Sequence, residues 1–398
     1  MPRRRWLILG ALFAARAATG FQFQSIGSAA NLLIADLSIG YAEIGMLLGA
    51  YLLPGVIVAF PAGLLGRRVS DKTLGLAGLS LMAASGLALS FSGDLATALV
   101  ARFVGGVGAT VLGLVATKMV ADWFDAREIV LAMSLLQMSW PFGAMIALPI
   151  QAWIGQSFGL SAVLASGGIA AALVFCAFAL VPKASEPIEA ATASRGKLPG
   201  AALGPVMVAG AIWGVMNLAC VLFFTYAPLL MMAQGSTPTM AASLTSLAIW
   251  FTILAIPTGG YLVHRTGKPI AAIVLCGPIG ATALMLFVAN FHPTIACLVF
   301  GLAIGPLSGA ILSLPARVLE PADRSVGFGL FYTCFYVLMA VGPTAAGRLQ
   351  DAWGSPSAAL IAGAALLLAM LPLVGLFWSL SKRREFAQAG ESKLRTAA

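Results

Sequence analysis

The chain has 398 residues, 60% of them hydrophobic and only 9% charged, with a formal net charge of +9 and a mean hydropathy of +0.97. Soluble domains carry about 25% charged residues because their surfaces must be wetted, so this surface must meet lipid instead. The apolar stretches are continuous and rich in Ala, Leu and Gly rather than alternating at period two, which excludes a β-barrel.

The first run begins behind Arg3, Arg4 and Arg5 at Trp6, and Ala15-Arg16-Ala17 imitates a secretory cleavage site. The run continues to about Ile34, long enough to span a bilayer, and is read as a retained first helix, 6–34. Further runs follow at 41–65, 73–92, 96–119, 129–154 and 160–182. The longest break, Pro182 to Pro199, holds Lys183, Glu186, Glu189, Arg195 and Lys197 among Ala, Ser and Pro, the composition of a solvated linker. Beyond it lie runs at 203–232, 239–262, 269–290, 294–316, 326–347 and 357–380, and a polar tail expected to be disordered. The expected organisation is two six-helix bundles, 1–182 and 203–380, joined by a cytoplasmic linker, 183–202, with a cytoplasmic tail at 381–398.

Charge tests this count. With the amino terminus in the cytoplasm, 20 of the 23 basic residues fall on the inner side; Arg348 falls in an outer loop, and Arg16 and Arg102 within spans. A wrong helix count would scramble that segregation, so an even number with both termini inside is expected. The five cysteines (Cys176, Cys220, Cys276, Cys297, Cys334) lie scattered in apolar stretches without metal spacing and read as small buried hydrophobes.

The two halves echo each other. Gly63-Leu-Leu-Gly-Arg67-Arg68-Val-Ser70-Asp71-Lys72 follows the second run, and Gly260-Tyr-Leu-Val-His264-Arg265-Thr-Gly267-Lys268 follows the eighth, 197 residues later. Both stretches resemble the loop signature of the major facilitator superfamily, Gly-x-x-x-Asp-Arg-x-Gly-Arg-Arg, with Arg67 and His264 in place of its acidic residue, Ser70 in place of a glycine and Asp71 in place of a basic residue. Arg102-Phe-Val-Gly-Gly106-Val-Gly108 is similar to the family's pattern in the fourth helix. Gly20-Phe-Gln22-Phe-Gln24, Tyr51-Leu-Leu-Pro54-Gly55, Asp122-Trp123-Phe124 and Ser139-Trp140-Pro141 look like its cyanate/nitroimidazole-permease branch. The resemblance implies an all-α polytopic fold of twelve helices in two pseudo-symmetric bundles. It also implies a central cavity lined mainly by helices 1, 4, 7 and 10, and alternating access to a site near mid-membrane. It attaches a role in proton coupling to Arg102, and the motif residues Gly63, Arg67, Arg68, Asp71, Gly260, His264 and Arg265 to conformational change.

Ionisable groups inside a bilayer cost about 2.5–3.5 kcal/mol on insertion scales, so each needs an explanation. Arg16 lies roughly 15 Å along the first helix, near the midplane, too deep to snorkel comfortably. Arg102 sits about two turns from the end of the fourth helix. All fourteen acidic residues fall in predicted loops, linker, tail or helix ends, so neither arginine has a deep carboxylate partner. Such a guanidinium should meet water, backbone carbonyls or an anion, and its paired donors suit a carboxylate. The alternative is that Arg16 bonds carbonyls or glutamines and only fixes packing. Secondary candidates for substrate contact are Gln24, Gln137, Trp140, Asn217 and Tyr332, together with Ser139, Trp213, Tyr226 and Tyr336, although helix packing or interfacial anchoring is the more common explanation for such residues. No Asp, Glu or His lies deep enough for a proton relay, which leaves facilitated diffusion, exchange or coupling through the substrate's own proton.

The expected activity is transport of a small, anionic solute by alternating access, with export of a neutral or drug-like solute as the alternative. An integral membrane enzyme lacks its motifs here (no HExxH, no intramembrane Ser/His pair), and a sensor lacks a loop large enough for a domain. Expected partners are the bilayer, a small-molecule substrate and a proton or counter-anion, with no cofactor, no metal and no nucleic acid. The expected state is a monomer in a bacterial inner membrane.

Overall fold

The computed structural model describes residues 2–58, 69–124, 128–180, 200–320 and 323–397. Gly63, Arg67, Arg68 and most of the expected linker lie outside the described residues, as does the side chain of His264. Among the described residues every regular element is a helix. The elements are α1 (Pro2–Ser28, continued as Ala30–Leu37), α2 (Tyr41–Leu52, continued as Pro54–Ile57), α3 (Asp71–Ser90), α4 (Leu95–Trp123), α5 (Ile129–Phe158) and α6 (Leu160–Ala179). They continue with α7 (Gly200–Ala233), α8 (Pro238–Thr266), α9 (Pro269–Val288), α10 (Pro293–Val318), α11 (Arg324–Trp353) and α12 (Ser357–Ala397).

Lipid offers no partner for backbone N–H and C=O groups, so each apolar run closes its own hydrogen bonds as a helix. Polar side chains mark the ends. Asp94 Oδ1 accepts from the Thr97 N–H at 2.9 Å, Ser70 Oγ from Thr73 at 3.2 Å, and Thr237 Oγ1 from Met240 at 3.3 Å ahead of Pro238. Ser38, at φ 52°, turns α1 into α2. Among the described residues ten helices are long and apolar enough to cross a membrane, and the pair Ala30–Leu37 and Tyr41–Ile57, bent by 116°, is an eleventh candidate. The description of α2 stops short of its expected end at 65, and α5, though 30 residues long, carries Gln137, Gln151 and Gln156 and two prolines.

Two expectations are corrected. The tail is not irregular: α12 runs on to Ala397. Its Ala, Arg, Lys, Glu and Gln are good helix formers, and no proline interrupts them after Pro372. Arg348 is not in a loop but in the last turns of α11.

Packing repeats between the halves. In the first, α1 packs on α5 and α6, α3 on α4 and α6, and α2 on α4. In the second, α7 packs on α11 and α12, α9 on α10 and α12, and α8 on α10. Adding six to each helix number converts one set into the other. The contacts between halves obey the same symmetry, with α2 against α11 and α8 against α5. The chain therefore forms two pseudo-symmetric bundles, an arrangement that the 197-residue echo anticipates.

The halves are tied at the face opposite the termini, here called the far face. The Asp351 carboxylate of α11 accepts the Tyr41 and Ala42 N–H groups of α2, each at 2.8 Å. Gln156 of α5 bonds Thr239 of α8, and the Tyr226 hydroxyl of α7 donates to the Tyr41 carbonyl at 3.4 Å. Nearer mid-depth, Gln24 Nε2 donates to the Phe224 carbonyl at 3.3 Å. Glycines allow this closeness: at Gly45, Gly49 and Gly347 a methyl group would collide with the backbone of the facing helix in the α2–α11 contact.

Candidate functional site

Arg16 is held where α1 and α5 touch. Gly20 lies against the carbonyl of Trp140 and Gly143 against that of Ala17, so neither position has room for a Cβ. This close approach lets Arg16 Nη1 donate to Gln137 Oε1 at 2.9 Å. That is the only hydrogen bond Arg16 makes among the described residues, and it forms no ion pair there. Arg16 is half-buried, whereas Gln137 is exposed within the fold, so the pair borders open space rather than packed side chains. Its charge acts on the phenols of Tyr332 and Tyr336, which share one face of α11. Gly55 of α2 makes room for the Tyr336 ring.

An aromatic wall continues from those tyrosines. Tyr332 stands edge-on to Phe331 and Phe335, and both phenylalanines face Trp213 of α7 with centroids 6.4 and 6.3 Å from it. Asn217, one turn beyond Trp213 and half-buried, donates to the Trp213 carbonyl at 2.8 Å, which leaves its Oδ1 unpaired among the described residues. The structure therefore gathers Arg16 and Gln137 with Tyr332 and Tyr336, and links Asn217 to them through Trp213.

Arg102 is placed otherwise. It is 2% exposed, and its guanidinium donates to the carbonyls of Leu47 at 3.1 Å, Gln22 at 3.1 Å and Phe23 at 3.3 Å. It also lies 4.3 Å over the Tyr51 ring. Arg102 thus joins α4 to α1 and α2, facing no open cavity. Of the two arginines that the acid-free core singles out, this one has found backbone carbonyls. Gln22 belongs to the same knot: its Nε2 donates to the Met82 carbonyl at 2.7 Å and its Oε1 accepts from the Tyr51 hydroxyl at 3.2 Å. Gln24 is buried against α7 as described, and Trp140 is half-buried beside Phe23, centroids 5.4 Å apart. Gln24 and Trp140 serve helix contacts in this conformation.

Of the loop motif, Asp71 accepts from Lys118 Nζ at 2.8 Å, linking the start of α3 to the end of α4. Gly260 packs beside Gly309 of α10, and Arg265 is exposed. Sequence reading passed over Asp351 and Glu43, which cap the start of α2; Asp351 has its partners about 310 positions away, so no local pattern could reveal it. Tyr336, a sequence candidate that lies four residues from Tyr332, joins it beside Arg16.

The chain matches the Major Facilitator Superfamily over residues 12–343 and 221–397. It is 23% identical over 387 residues to the lysosomal dipeptide transporter MFSD1 of Danio rerio, covering 90% of this chain and 83% of that one. The corresponding protein of Bos taurus is 23% identical over 357 residues, covering 80% and 74%. Among solved structures, the fold is similar to a bacterial homologue of the human lysosomal transporter Spinster. The inward-facing, unoccupied form gives a TM-score of 0.69 at 15% identity, and the inward-facing, occupied form 0.72 at 14%; each comparison covers 95% of this chain and 97% of the other. The chain belongs to the Major Facilitator Superfamily, and is an integral, multi-pass membrane transporter rather than an enzyme.

Proposed function

Taking membership of this superfamily as the premise, we propose that the chain carries a small solute bearing a carboxylate or similar planar anion, and that Arg16 receives the anionic group. One observation carries the reading: a mid-span guanidinium with a single hydrogen bond, to Gln137, and no carboxylate partner among the described residues, bordering open space between the halves. A guanidinium left in that state is costly unless an anion completes it, and its fork of donors matches a carboxylate in two bonds. Tyr332, Tyr336 and the free Oδ1 of Asn217 supply neutral contacts for the rest of the solute. Cyanate, suggested by the branch resemblance, and a dipeptide, named for the curated relatives, have a negative group in common. The ties at the far face support a conformation open toward the termini, and the basic residues gathered on the side of the termini support placing that side in the cytoplasm. Gly63, Arg67, Arg68, Asp71, Gly260, His264 and Arg265 would then line the hinge region on that side. Two bundles, 1–182 and 203–380, would move as the rocking bodies.

Among the described residues the site has no acid to meet an ammonium group. Pairs of ligands that differ in one group test the reading by thermal stabilisation of the purified transporter. A carboxylic acid should raise Tm in a concentration-dependent way while its primary amide does not, and N-acetylation of a dipeptide should leave the stabilisation intact. Equal stabilisation by acid and amide would overturn the anion assignment.

A further inference from the structure

The repeat reverses a charge. In the 197-residue register Asp71 of the first half corresponds to Lys268 of the second. Asp71 opens α3 and takes the ammonium of Lys118 from the end of α4. In the second half Arg317, at the end of α10, has no such acid among the described residues; its Nη2 donates to the carbonyl of Gly267 at 2.7 Å, and Lys268, at the start of α9, holds the register position of Asp71. The first half thus pairs the α4 cation with an acid of its own, and the second half leaves two cations side by side, neither in an ion pair among the described residues.

These cations border an open groove of about 530 Å³. Its wall runs from Lys268 and Arg317 along Ile270 and Val274 of α9 to Leu371 and Trp378 of α12. Val274 and Trp378 are about half exposed. Lys382 Nζ lies 4.0 Å over the Trp378 ring, adding a third cation at the same end. A cationic end continuous with an apolar wall on a membrane-facing surface, with a tryptophan at the boundary, matches an amphiphile in both charge and polarity profile. We infer that this groove binds an anionic phospholipid, with its phosphate between Lys268 and Arg317, where Asp71 serves the other half, and its acyl chain along Ile270, Val274 and Leu371. A soluble anion would use only the cationic end and leave the apolar wall unmatched.

The test uses the full chain in neutral detergent, with Tm measured after adding phosphatidylglycerol, phosphatidylcholine or inorganic phosphate. Phosphatidylglycerol should raise Tm more than phosphatidylcholine, and inorganic phosphate should give no rise. Lys268→Asp should form the internal pair with Arg317, hold or raise the lipid-free Tm, and lose at least about half of the phosphatidylglycerol increment. Lys268→Gln/Lys382→Gln should lose a similar share without gaining lipid-free stability. Equal effects of the two lipids, an increment unchanged in the variants, or full stabilisation by inorganic phosphate would each overturn the assignment.

Discussion

At the scale of single residues, two arginines that look alike in the sequence separate by their partners. Both lie in apolar runs without a nearby acid, and composition gives the same argument for each. The structure assigns Arg102 three carbonyls and an aromatic face, and Arg16 one glutamine. The difference was illegible because it depends on which carbonyls of α1 and α2 face α4, a matter of helix rotation rather than spacing. Truncating Arg102 leaves three buried carbonyls to find new partners. Arg102→Met should therefore cost about 2–3 kcal/mol and lower the Tm of the ligand-free protein, while any folded fraction keeps its response to ligand. A Tm equal to wild type would contradict the clamp that we assign to it. The pairing of Tyr332 with Tyr336 was legible from four-residue spacing, whereas their approach to Arg16 crosses from one half to the other and was not.

At the scale of helices, small residues decide where the site can form. Gly20 and Gly143 bring α1 and α5 into backbone contact, and that contact sets Gln137 beside Arg16. A Cβ at Gly143 would meet the Ala17 carbonyl and push the helices apart, whereas one at Gly113 meets nothing within 4 Å. Gly143→Val should weaken ligand binding about tenfold, read as a shift in the concentration that half-stabilises the protein, and Gly113→Ala should leave it unchanged. An unaltered midpoint in Gly143→Val would detach Arg16 from the α1–α5 contact. Glycine spacing along a helix permits close packing but does not say which helix lies opposite. Apolar length placed the helices well and misjudged two ends, Arg348 and the tail, where polar residues continue a helix beyond the apolar run.

At the scale of the whole molecule, the six-helix echo was visible in a short loop match and in the segregation of basic residues. The structure extends it to every major helix pairing within the halves. The ties of Asp351 to Tyr41 and Ala42 and of Gln156 to Thr239 hold the far face together, and in the proposed reading the opposite face is the route to Arg16. Those ties pair residues distant in the chain and carry no sequence pattern. The central claim joins this architecture to one side chain: the two halves move an anion, and Arg16 holds it. Its most direct test is solute flux into proteoliposomes reconstituted with wild type, Arg16→Lys or Arg16→Ala, using an anion that stabilises the wild-type protein. Loss of a charge-assisted pair worth about 1.5–3 kcal/mol corresponds to roughly a 10- to 100-fold fall. The account predicts saturable flux in wild type, a fall of that size in Arg16→Ala and partial retention in Arg16→Lys. Undiminished flux in correctly folded Arg16→Ala would contradict it.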